Sequence, residues 1–266
     1  MSEIGWRNTG LIIFSGLAIL ILSLILYLSG ESTILLTFVS VLAPIVAFLV
    51  GIIGLNAFGR ESLVKDDRFH AMNVWMALGL IVFSLSETAG VIIHYTESTN
   101  QICFTVGLVQ MPALLLWGLG VLGYLRASNL ALGVTYTERL LPLIIIISSI
   151  VGLTIIVVVT LFNPAQYLLF TIISVPMVVG LGLILFTLGT LLWTLRNGLI
   201  ARPLTLLFLG IVLFFVRSIF WSFVNYCPGT PFDYVTGLES YILVGSSLIA
   251  ASKLDEVYDT IEEFEE

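Results

Sequence analysis

The sequence is short of charge. Asp, Glu, Lys and Arg make up only 10% of its 266 residues, where soluble domains carry about 25%. Ten Lys and Arg against 17 Asp and Glu leave a formal charge of −7, so there is no basic surface for nucleic acid or any other polyanion. Lysine occurs only as Lys65 and Lys253, both at the ends of apolar stretches, which excludes a retinal-type Schiff base inside a helix. The two histidines, His70 and His94, stand at opposite ends of one stretch, about 36 Å apart along a helix, too far to share a haem. The two cysteines lack the further ligands of a closed metal site. There is no phosphate-binding glycine loop, serine elbow or HExxH pair. No cofactor and no metal are expected, and no catalytic residue is assigned.

What is abundant is apolar sequence: 59% of residues are hydrophobic and the mean hydropathy is +1.12. A membrane-spanning helix needs about 20 mostly apolar residues. Eight stretches qualify, at 9–29, 33–58, 71–95, 102–125, 140–162, 165–195, 203–225 and 234–252. The first is too long for a signal-peptide core, which runs to about 7–15 residues, so it reads as a retained anchor. The fold class is therefore an all-α, polytopic membrane bundle: one transmembrane domain over 1–252 and an acidic tail over 253–266.

Orientation follows from the basic residues. Arg7, Arg60, Lys65, Arg68, Arg126, Arg139, Arg196, Arg202 and Lys253 all fall on one side of an eight-span layout, while the opposite turns hold Glu31, Glu97 and Asp233. Both termini are expected in the cytoplasm, with the protein in the cell membrane. Asn163-Pro164 and Arg202-Pro203 mark helix starts. Pro44, Pro112 and Pro176 fall inside spans, where kinks are expected.

Cys103 opens the fourth stretch and Cys227 follows the seventh. The layout puts both at the outer face, where a disulfide can form. A pair of unlinked small apolar residues is the alternative.

Three ionisable residues lie within apolar stretches: Glu87, Arg217 and Glu239. Charges in hydrocarbon are costly, so each should face a partner or a cavity. Counting from the outer ends, Glu87, Arg217 and Gln110 all lie about 12 Å deep, and Glu239 lies at about 6–8 Å. Arg217 is expected to pair with Glu87, with Glu239 as the competing carboxylate. His94 and Asn225 would line the mouth of an outward-facing pocket for a small polar or anionic ligand. A purely structural ion pair between the third and seventh stretches is the rival reading.

The tail, KLDEVYDTIEEFEE, holds seven of the 17 acidic residues. Leu254, Val257, Ile261 and Phe264 recur at helical spacing. An acidic amphipathic helix continuing into the cytoplasm is expected. It would be repelled by anionic lipid and suited to a basic cytoplasmic protein partner.

Several segments resemble the seven-helix sensory modules at the N-terminus of prokaryotic membrane histidine kinases. They are VWMALGLIVFSLSETAG with Trp75 and Glu87, VQMPALLLWGLGVLGYL with Pro112 and Trp117, ERLLPLIIIISSI, and LFNPAQYLLF opening a long stretch. The likeness spans about 33–252. The chain departs from that family in a further span before the module, and no kinase or PAS segment follows within the 266 residues. The resemblance implies a sensor body that signals through a partner, and it carries over no ligand-binding residue. A secondary transporter titrating Glu87, an intramembrane enzyme using Cys103, and a structural subunit of a membrane complex are the other readings.

Overall fold

The structure, a computed structural model, describes residues 3–59, 67–96, 102–131, 147, 150, 154, 168–224 and 231–265. These form seven helices: α1 (Glu3–Leu28), α2 (Ser32–Phe58), α3 (Arg68–Thr96), α4 (Ile102–Ala131), α5 (Leu168–Leu195), α6 (Ala201–Val224) and α7 (Pro231–Glu265). Each is long and apolar enough to cross a bilayer. This is a multi-pass membrane bundle with seven candidate spans among the described residues, against the eight expected. The expected span at 140–162 lies outside them except for Ile147, Ile150 and Thr154, each helical. The helical state follows from the solvent. With no water in the hydrocarbon, backbone N–H and C=O groups must bond within their own segment.

Six of the helices pack as a closed ring. α2 lies against α3, α3 against α4, α4 against α5, α5 against α6, α6 against α7, and α7 back against α2. α1 sits outside the ring, chiefly on α7. It ends in a tight turn: Gly30 adopts φ +81°, and Glu31 N–H and Gly30 N–H bond the carbonyls of Leu26 and Tyr27. That is a Schellman cap, which glycine favours because it has no Cβ to clash. Asp67 caps α3 by accepting from Phe69 N–H at 2.8 Å, and its other oxygen meets His70 Nδ1 at 2.6 Å.

Bilayer and bundle divide the side chains. Leu11, Phe14, Leu17, Leu28, Leu115, Leu119 and Trp193 are exposed, as a lipid-facing surface requires. The interior holds a layer of aromatic rings. Phe83 stacks with Trp117 and with Phe214, both at 4.7 Å between centroids, and Tyr241 lies 6.0 Å from Phe214. Trp117 fits there because position 79 is glycine; a Cβ would overlap the indole. Hydroxyl groups tie neighbouring helices to one another: Ser84 to the Pro44 carbonyl, Ser86 to Val106 and Ser240 to Gly210. Such bonds are the polar glue of membrane interfaces, where hydrophobic burial gains nothing over lipid.

Candidate functional site

Three charged residues of the interior, Arg217, Glu87 and Asp233, meet beside the aromatic layer. Arg217 on α6 points inward, its guanidinium 5.5 Å from the Phe214 ring centre. Its Nη1 donates to Glu87 Oε1 at 2.5 Å and its Nη2 to Glu87 Oε2 at 3.3 Å. Its Nε donates to Asp233 Oδ1 at 2.6 Å, and Nη2 also reaches Asp233 Oδ2 at 3.3 Å. One guanidinium thus forks onto two carboxylates, the geometry its planar donors favour. Tyr241 completes the group by donating its hydroxyl to Glu87 Oε1 at 2.6 Å. Arg217 is 2% exposed, Glu87 and Asp233 3% each, and Tyr241 0%.

Local sequence explains the arrangement. Asp233, Gly237 and Tyr241 recur every four residues and so form one stripe on α7. The two ends of the stripe supply an acceptor and a donor. Its middle supplies space: a Cβ at Gly237 would lie 2.7 Å from Arg217 Nη1 and 3.0 Å from Cζ. The guanidinium lies across the glycine. Glu87 comes from α3 on the far side of the ring, so the network joins three helices, α3, α6 and α7.

The expected contact between Glu87 and Arg217 is present. The expected competitor is a different residue: Asp233, not Glu239, is the second carboxylate. Position 239 is about 200° round the helix from Gly237 and Tyr241, so its carboxyl faces α1, where a Cβ at Gly16 would lie 2.9 Å from its Oε2. Depth alone placed Glu239 near the arginine; helical phase sends it elsewhere. Asp233 falls just before its apolar stretch at 234–252 and so reads as a turn residue, yet it is buried in the first turn of α7. Its spacing from Gly237 and Tyr241 was the available signal.

Gln110 is fully buried on α4. It lies between Val106, which accepts from Ser86 beside Glu87, and Ala113, which lies against Gly79. It therefore lies on the inward stripe near the level of the network. Neither amide atom has a hydrogen-bond partner among the described residues. The side chains of His94 and Cys103, and residues Asn225 and Cys227, lie outside the described residues, and with them the expected pocket mouth and disulfide. Among the described residues no group of three His, Cys, Asp or Glu is placed to hold a metal ion. Comparison with protein-family models, curated proteins and solved structures finds no match.

Chemically the network is a closed ionic hub. Each guanidinium nitrogen has a carboxylate oxygen, and as ionised groups the three residues sum to one net negative charge. Removing one partner from such a buried group leaves an uncompensated ion, which costs about 3–5 kcal/mol.

Proposed function

We propose that this chain is a membrane sensor in which the Glu87–Arg217–Asp233 hub is the coupling point between bundle and tail. The carrying observation is the continuity of α7. The helix that supplies Asp233, Gly237 and Tyr241 runs unbroken to Glu265, beyond the apolar span at Phe232–Leu254. Any change in how Arg217 divides itself between Glu87 and Asp233 therefore turns or shifts the rod that carries the tail. The resemblance to kinase sensory modules supports the same reading. On this reading the chain crosses the membrane eight times, both termini lie in the cytoplasm, and the tail meets a protein partner there.

The second carboxylate changes the class of ligand. The sequence alone points to a small polar or anionic ligand. With two acids on one guanidinium, the excess negative charge favours a small cation or a polar hydrogen-bonding molecule, and the amide of Gln110 supplies a further donor and acceptor. A ligand moves the tail only by preferring one arrangement of the hub. The test is hydrogen exchange of residues 255–265 in the purified protein in lipid nanodiscs, with guanidinium, ammonium, acetate and phosphate added in turn. A sensor changes tail exchange with at least one of the cations, and the change vanishes in Arg217→Lys. Tail exchange that ignores all four probes contradicts the reading.

One observation favours a second reading. Arg217 is closed off on all its nitrogens and sealed from the surface, as in a structural lock of a membrane subunit. A lock predicts that hub variants lose stability while no probe alters the tail. The transporter reading predicts uptake of the same cations into proteoliposomes.

A further inference from the structure

Glu239 is a second buried acid, separate from the hub. It is 9% exposed, and its Oε1 has no hydrogen-bond partner among the described residues. Its Oε2 lies where a Cβ at Gly16 would approach to 2.9 Å, so the glycine on α1 leaves the space that the carboxyl fills. The facing wall is the one stripe of α1 turned toward the bundle: Ile12, Gly16, Ile19, Ser23 and Leu26. Ser23 is 4% exposed, and its hydroxyl also lacks a partner among the described residues. Two unanswered polar groups therefore lie along a single seam.

Among the described residues no charge stands opposite the acid. α1 carries no titratable residue from Asn8 to Leu26, and α2 carries none from Ser32 to Phe58. On α7 the residues one turn away are Val235, Thr236, Ile242 and Leu243. Asp233, Tyr241 and the Arg217 guanidinium of α6 are gathered on the opposite side of α7. An ion at this position would be desolvated with no partner to offset the cost, whereas a neutral acid is far cheaper to bury. The covering element is also the least held of the described helices. α1 packs chiefly on α7 and more lightly on α2, and most of its other described side chains are exposed.

We propose that Glu239 is a proton-binding site at the seam between α1 and α7, occupied by a proton while α1 is seated and emptied only when the seam opens to water. The step is a simple dissociation: the carboxyl O–H breaks, the electron pair stays on the carboxylate and the proton passes to water. α1 thereby becomes a cover whose seating depends on the protonation of one residue.

Dicyclohexylcarbodiimide is the probe, because this apolar reagent adds the O–H of a protonated carboxyl and rearranges to a stable acylurea. The full chain in lipid nanodiscs is labelled over a range of pH and mapped by mass spectrometry. The expected result is label at Glu239, several-fold above that at Glu87 or Asp233, falling as pH rises and absent from that position in Glu239→Gln. A parallel thermal melt keeps the test independent of the reagent: wild type loses stability with rising pH, and the glutamine variant loses less. No label at Glu239, equal label on the hub carboxylates, or identical pH profiles for the two proteins would overturn the proposal.

Discussion

A guanidinium offers five N–H donors in a rigid fork, and an ammonium offers three from a single point. At Arg217 that difference is structural, because the donors serve two carboxylates from different helices at once. Arg217→Lys keeps the charge and loses the fork. It is expected to lower unfolding stability in detergent by about 1–3 kcal/mol, the cost of buried acceptors left unanswered. Tyr241→Phe removes one hydrogen bond to an ionised acceptor, and a loss of about 1.5–3 kcal/mol is expected in the same assay. Gly237→Val drives a side chain into the guanidinium and should cost about 1–3 kcal/mol. Gly118→Val is the control: a Cβ at Gly118 meets nothing within 4 Å, so its melt should stay close to wild type.

At the scale of the element, α7 carries most of the information. Its face at Asp233, Gly237 and Tyr241 holds the arginine, its opposite face at Glu239 meets α1, and its far end forms the tail. The limits of the helices were largely legible from apolar run length, because hydrocarbon allows few other structures. The described helices begin and end within a few residues of the expected stretches, except where α1, α4 and α7 run on into polar sequence. The pairing of Arg217 with Glu87 was legible too, since two isolated opposite charges at matched depth have few other partners. What escaped was rotational phase. Depth counts residues along a rod, and it leaves Glu239 within reach of Arg217; angle about the rod separates them. Asp233 escaped for a related reason: an acid at the start of an apolar stretch reads as a turn until its i+4 glycine and i+8 tyrosine are read with it.

For the molecule as a whole, a ring of six helices closed by α7 against α2 means that few interfaces are independent of one another. The hub fastens α3 to α6 and α7 from inside that ring. The proposed layout of eight spans makes a topological prediction: reporter domains fused to the N-terminus and to the C-terminus should both report the cytoplasmic side, and opposite sides would contradict eight spans. The account as a whole rests on the hub being an interdependent ionic group. The direct measurement compares the unfolding free energy of Arg217→Met with that of the triple variant Glu87→Gln, Asp233→Asn, Arg217→Met in the same detergent. Arg217→Met should lose about 3–5 kcal/mol, because it strands two carboxylates, and the triple variant should regain most of that loss by removing the stranded charges. An Arg217→Met protein as stable as wild type, or a triple variant no more stable than Arg217→Met, would contradict it.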